Sequence, residues 1–233
     1  MYKLYNGDCL EVMDKLIEEG IKVDCILTDP PYNVSKNNNF KTMGRHGLDF
    51  GEWDKNFDDV EWLKRVDAIL SKNGSIVIFN TFDNLAMTKT FLEKVGFIYK
   101  DFIVMNKNNP MPRNRDRRYI GACEYALFMT RTKAKWVFNR QSEKYDSNVI
   151  KCNVVSGKEK TIHTTQKPLS VIKELVLRHS NENDSILDCF MGSGTTGIAC
   201  VNTNRKFIGI ELDENYFNIA KDRIEEAYNK ASF

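Results

Sequence analysis

Four consecutive residues, Asp29-Pro30-Pro31-Tyr32, put a carboxylate, a stiffened pair of carbonyls and an aromatic ring into one corner of the chain. Neither proline has an N–H to donate and each fixes its own φ, so the apolar run Val23–Thr28, which reads as a buried strand, must end there. Pro31 also biases Pro30 towards extended backbone, which sets the direction of its carbonyl. A planar base bearing an exocyclic amine asks for these groups: two acceptors for its N–H bonds and a π face to stack on. A cis-proline or tight turn at a strand end is the plainer reading of the same four residues.

A second constellation lies near the other end. The apolar run Ile186–Phe190 leads into Met191-Gly192-Ser193-Gly194-Thr195-Thr196-Gly197, a strand, a glycine-rich turn and a helix start. Gly192 and Gly194 would let the backbone approach a ligand closely, and Gly197 would let the helix pack tightly on the strand. The next apolar run ends at Glu211, 19 positions after Gly192 (211 − 192), the spacing of a carboxylate that grips ribose hydroxyls. The same letters spell the dinucleotide fingerprint G-x-G-x-x-G, so a nicotinamide-dependent oxidoreductase competes for this stretch. Against it, too little chain follows the fingerprint to complete a six-stranded dinucleotide domain. Asp188 would also face a pyrophosphate, whereas a cationic ligand would welcome it. A donor with ribose, no phosphate, an ammonium and a sulfonium fits better, and S-adenosylmethionine is such a donor.

The elements that must position these groups alternate in type. Strands are expected at Lys3–Gly7, Val23–Thr28, Gly74–Asn80, Phe97–Asn106, Glu124–Thr130, Ser185–Phe190 and Lys206–Glu211. Helices are expected at Cys9–Glu19, Val60–Ser71, Asn84–Val95, Ser170–Ser180, Thr195–Asn202 and Asn215–Lys230. This alternation predicts an α/β fold with a mostly parallel sheet covered on both faces. Glu124–Thr130 follows its predecessor without a helix, so it is the expected antiparallel strand. One domain over 1–233 is expected, with two excursions: a loop at 33–57 and a basic segment at about 131–165. Trp53, in the first excursion, could close that loop over a bound base or anchor it to the sheet.

Hydrophobic content of 42% and charged content of 28% are those of an ordinary globular protein. No apolar stretch approaches the ~18 residues of a membrane span, and the N-terminus has no signal-peptide layout, so the cytoplasm is the expected location. Six cysteines with no C-x-x-C pair and three scattered histidines predict neither a disulfide framework nor a metal site. The net charge of +2 hides an asymmetry: residues 105–167 hold 14 Lys/Arg against 5 Asp/Glu, a local +9 (14 − 5). Such a segment suggests a surface that faces a polyanion.

In series, these stretches resemble a β-class amino DNA methyltransferase. The resemblance rests on Asn6-Gly7-Asp8-Cys9-Leu10, Thr28–Asn33, Gly74–Phe79, His163-Thr164-Thr165-Gln166-Lys167-Pro168, Asp188–Thr196 and Arg205–Leu212, and it covers nearly the whole chain. The catalytic corner comes first and the cofactor turn last, the circularly permuted order of that class. The resemblance implies a Rossmann-like sheet of seven strands with one antiparallel strand, S-adenosylmethionine as methyl donor, and double-stranded DNA with a flipped-out target base. It further implies that Asp8 and Cys9 flank the adenine ring of the cofactor and that Glu211 binds its ribose. Asp188, Phe190, Gly192, Ser193, Gly194 and Thr195 would surround the methionine part, with Lys167 and Pro168 close by.

The Asp-Pro-Pro-Tyr form is typical of adenine-N6 members, and cytosine-N4 transfer is the alternative. Asp29 and the Pro30 carbonyl would accept the amine hydrogens, Pro31 would stiffen the corner, and Tyr32 would stack on the base. Asp29 would also lie beside the cofactor. DNA contacts are expected from Arg113, Arg115, Arg117 and Arg118 and from Lys133, Lys135 and Arg140. His163 is expected to serve a turn rather than the chemistry. The resemblance also admits a homodimer and a cognate restriction endonuclease as partners.

Overall fold

The computed structural model describes residues 1–33, 57–58, 60–112, 116–117, 119–163 and 165–231. Trp53, Arg113, Arg115 and Arg118, and most of the 33–57 loop, lie outside the described residues.

Eight strands join in one sheet: β1 (Tyr2–Asn6), β2 (Val23–Thr28), β3 (Leu70–Asn80), β4 (Phe97–Lys107), β5 (Cys123–Arg131), β6 (Val149–Cys152), β7 (Ser185–Asp188) and β8 (Lys206–Glu211). Their spatial order is β1-β8-β7-β2-β3-β5-β4-β6. β5 runs antiparallel to β3 and β4, and every other pairing is parallel. The helices are α1 (Cys9–Glu18), α2 (Val66–Ile69), α3 (Phe82–Lys94), α4 (Leu169–His179), α5 (Thr195–Val201) and α6 (Glu214–Ala231).

Strand periodicity divides the core. Cys25 and Leu27 of β2, with Val77 and Phe79 of β3, face Val171, Leu175 and Ala199 of α4 and α5. The alternate residues Ile26, Ile76 and Ile78 face Met13 and Leu16 of α1, with Trp62 and Leu85. A side-chain period of two sends neighbours to opposite faces, so a parallel strand covered on both sides reads as a continuous apolar run. Asp8 starts α1 by accepting from the Leu10 amide at 2.7 Å, and Thr81 starts α3 by accepting from the Asn84 amide at 3.4 Å.

Two expectations about elements are corrected. The sheet has eight strands, because Val149–Cys152, inside the basic excursion, pairs in parallel with Val104–Lys107. Four residues with alternate burial between polar neighbours leave too short a run to stand out. The helix expected at Val60–Ser71 is a 3-10 turn over Trp62–Arg65, then the single turn α2, and β3 begins at Leu70. Leu70 adopts ψ 136 and pairs with Val23, and the register then jumps to Cys25–Ser75. The bulge between places Gly74 against Leu70, where an added Cβ would meet side-chain carbon at 2.6 Å.

The parallel strands end on one edge of the molecule. Asp29 follows β2, Asn80 ends β3, Asp188 ends β7 and Glu211 ends β8. Ligands of open α/β sheets bind outside this edge. The antiparallel β5 starts there and ends at the opposite edge.

Candidate active site

The carboxyl edge of the sheet opens into a cavity of about 870 Å³ that is lined from both ends of the chain: Asp8 and Cys9, Leu27–Tyr32, Lys167, Asp188–Ser193 and Glu211–Tyr216. Its midline is a bond between strands: Thr28 Oγ1, at the end of β2, donates to Asp188 Oδ1 at 2.8 Å across 160 positions of sequence. Asp188 Oδ1 also accepts from the Phe190 amide at 3.2 Å, and Oδ2 accepts from Thr196 Oγ1 at 2.7 Å. Burial nevertheless pushes the Asp188 carboxyl up to about 6, against these bonds.

On the far side of the glycine turn, Glu211 is fixed by two backbone donors. The Gly192 amide reaches Oε2 at 2.9 Å and the Asp213 amide reaches Oε1 at 2.9 Å. Burial raises this carboxyl too. Gly192 has φ +52, and a Cβ there would meet His163 Nε2 at 2.8 Å. His163 packs edge-on against Tyr216 at 4.5 Å between centroids, and burial lowers its pKa to about 4, so it is a neutral wall of the cavity. Cys9, at the start of α1, has a thiol pushed up to about 12 by burial and acts as an apolar contact.

The proline corner presents Asp29, Pro30, Pro31 and Tyr32 to the same space, with no cis peptide among the described residues. Tyr32 OH donates to Asp29 Oδ1 at 2.6 Å, and the Lys167 ammonium donates to Asp29 Oδ2. Burial raises the Asp29 carboxyl against the pull of Lys167, and Asp29 in turn helps hold Lys167 well above its ordinary value despite its own burial. Lys167 therefore lines the cavity from the corner side, bound to the carboxylate of that corner.

Phe190, Ser193 and Thr195 line the cavity, and Gly194 and Pro168 do not. Gly194 caps α5 at φ +80 with its open side towards α6, where a Cβ would meet Ala220 Cβ at 2.9 Å. Its missing side chain serves helix packing. Gly197 serves packing as expected, since a Cβ would lie 2.4 Å from Ile224 and 2.8 Å from Phe207 of β8. Pro168 sits at the start of α4, where its carbonyl accepts from the Val171 amide at 3.1 Å.

The basic residues separate into two groups. Arg117 is exposed in the β4–β5 connection on the carboxyl edge. Lys133 and Lys135 follow the end of β5, where the Lys135 amide donates to Asn73 at 3.0 Å. Arg140 follows Asn139, whose side chain donates to the Leu177 and Ser180 carbonyls at the end of α4. β5 spans nine residues, on the order of 30 Å at ~3.3 Å each. Lys133, Lys135 and Arg140 are therefore on the edge opposite the cavity. Net charge along a segment carries no information about which edge each residue occupies.

One residue of the site carried no sequence signal. Glu124, second in β5, places Oε2 at 3.2 Å from Lys167 Nζ and also pairs with Lys107. A lone carboxylate ahead of an apolar strand gives no hint of partners 43 positions away (167 − 124).

Comparison with known proteins agrees with this arrangement. The DNA methylase family model N6_N4_Mtase matches residues 23–222. Type II methyltransferase M.HinfI of Haemophilus influenzae is 32% identical over 96% of this chain and 68% of its own length. Type II methyltransferase M2.MboI of Moraxella bovis is 31% identical over 97% of this chain and 88% of its own. The crystal structure of an M1.HpyAVI–SAM complex superposes with a TM-score of 0.80 at 42% identity, covering 96% of this chain and 99% of the other. The cytosine-N4-specific PvuII DNA methyltransferase shares the fold, with a TM-score of 0.73 at 16% identity over 99% and 92% of the two chains. Because the family match runs from the strand before the proline corner into the last helix, the chain belongs to the N6/N4 DNA methylase family.

Proposed function

We propose that the chain transfers a methyl group from S-adenosylmethionine to the exocyclic N6 amine of an adenine flipped out of double-stranded DNA. The observation that carries this reading is the Thr28–Asp188 bond, which joins the proline corner to the glycine turn in one cavity. The residues fit the donor. Glu211 presents a fixed carboxylate for ribose hydroxyls, the Cys9 thiol gives a neutral surface for a purine, and among the described residues no Lys or Arg other than Lys167 lines the cavity. Asp188, raised by burial, gains from a cation beside it. The donor supplies an electrophilic methyl group on a sulfonium centre.

The chain's own part concerns the amine, whose lone pair is delocalised into the ring. Asp29 and the Pro30 carbonyl accept its two hydrogens and draw the nitrogen towards tetrahedral geometry. Asp29 stabilises the positive charge that develops there and takes the surplus proton. Tyr32 offers a ring for stacking, worth roughly 1–3 kcal/mol, against the few kcal/mol of base extrusion. Arg117, exposed on the carboxyl edge, supplies phosphate contacts in this reading, and Lys133, Lys135 and Arg140, which follow the far end of β5, take no part in them.

Adenine rests on the Asp-Pro-Pro-Tyr form of the corner. Incubating the protein with methyl-labelled S-adenosylmethionine and duplex DNA, then digesting to nucleosides, tests the reading. Label in N6-methyladenosine is expected, and label in N4-methylcytosine moves the assignment to the other amine. A homodimer and a cognate restriction endonuclease belong to the same reading. Light scattering of the purified protein decides the first of these.

A further inference from the structure

In the free protein the corner carboxylate is already occupied by the protein's own donors. Asp29 Oδ1 accepts from Tyr32 OH at 2.6 Å and Oδ2 accepts from the Lys167 ammonium. A target amine that uses Asp29 comes to the carboxylate on which that ammonium sits. It also becomes positively charged as the new bond forms, and two like charges on one poorly solvated carboxylate oppose each other. Lys167 must therefore yield part of its hold. It cannot yield to water, because the side chain is only 7% exposed and is flanked by the rings of Tyr32 and Phe79, 5.4 and 5.2 Å from the ammonium. Leaving a buried charge without a partner is strongly unfavourable.

The fold provides another seat. Glu124 Oε2 lies 3.2 Å from Lys167 Nζ, and Glu124 is not among the residues that line the cavity. Glu124 is held in place from behind, because Lys107, near the end of the neighbouring β4, pairs with Oε1. The result is a row of alternating charges: Asp29, Lys167, Glu124, Lys107.

Resting on the amine-methylation reading, we propose that Glu124 is a positioning residue. It receives the Lys167 ammonium when the amine of the flipped base takes that ammonium's place on Asp29. Lys167 is thus the stand-in for the target amine in the free enzyme, and the shift needs only a change of partner within one cluster. The lowered carboxyl of Glu124, held down by Lys167 and Lys107 against its burial, keeps this second seat charged.

The test is single-turnover methyl transfer to duplex DNA, measured with Kd for S-adenosylmethionine, Kd for duplex and the urea midpoint. Glu124→Gln keeps the shape and removes the charge. The rate is expected to fall on the order of tenfold or more, with cofactor affinity and midpoint unchanged. Glu124→Asp, which retains a carboxylate, is expected to recover part of the rate. In a Lys167→Met background, Glu124→Gln should have no further effect on the rate, because there is no ammonium left to receive.

An unchanged rate in Glu124→Gln, equal losses in the Gln and Asp variants, or an undiminished Glu124 effect without Lys167 each overturns the proposal. Loss of midpoint and of both affinities, with the rate of the saturated complex intact, reveals a structural role instead and overturns it too. A wild-type protein that methylates neither adenine nor cytosine amines overturns the functional reading itself, and the proposal with it.

Discussion

At Asp188 burial and hydrogen bonding pull against each other. Three donors hold its carboxylate, yet its pKa lies at about 6 rather than the ordinary 3.8. The folded chain therefore binds this proton more tightly than the unfolded chain does. The group's contribution to stability falls as pH rises through that interval and is lowest above pH 6. The penalty at neutral pH is on the order of 3 kcal/mol, from roughly 1.36 kcal/mol per unit. Urea unfolding at several pH values should show wild type gaining stability relative to Asp188→Asn as pH falls from 7 to 4. A difference that stays constant across that range contradicts the assignment. Asp29 makes a different prediction, because in the proposed reaction its charge acts on the target amine. Asp29→Ala should lower methyl transfer on the order of 10²–10³-fold while calorimetry finds cofactor affinity unchanged, and retained turnover would refute its role.

At the scale of elements, Gly194 and Gly197 put no side chain of their own between α5 and the Ala220 and Ile224 side chains of α6. A Cβ on Gly197 would lie 2.4 Å from Ile224 Cδ1, so Gly197→Ala must push α6 outward or strain α5. A loss of roughly 1–3 kcal/mol is expected in urea unfolding. Adding Ile224→Val removes the closest atom, so the double variant should lose less than the sum of the single losses. Strictly additive losses would show that the two helices are not in register as described. Elements were legible where an apolar run had turn residues at both ends: β2 and β8 occupy the expected residues. The Val60–Ser71 run was not, because Trp62, Leu63, Val66, Ile69 and Leu70 carry helical spacing while Leu70 pairs with Val23. Tertiary pairing overrode a local pattern there.

On the scale of the whole molecule, the sheet's two edges sort the basic residues. Arg117→Ala should weaken duplex binding and reduce the slope of log K against log salt by about 1. Arg140→Ala, on the opposite edge, should leave both unchanged. A salt slope that falls equally in the two variants would place DNA elsewhere than at the cavity mouth. No helix among the described residues is long and apolar enough to cross a membrane.

Residue types and order determined much of this by themselves. Two prolines force a strand to end beside Asp29, glycines with a distant Glu211 mark a nucleoside-binding turn, and their order along the chain points to one class of amine chemistry. Covalent spacing within a few residues fixes such local geometry. Only the tertiary structure set Glu124 against Lys167, turned Gly194 towards α6 and placed Lys133, Lys135 and Arg140 on the edge opposite the cavity. Those facts depend on which strands pair and in which direction. Pairing is settled by burial over the whole sheet, and no short stretch of sequence records it.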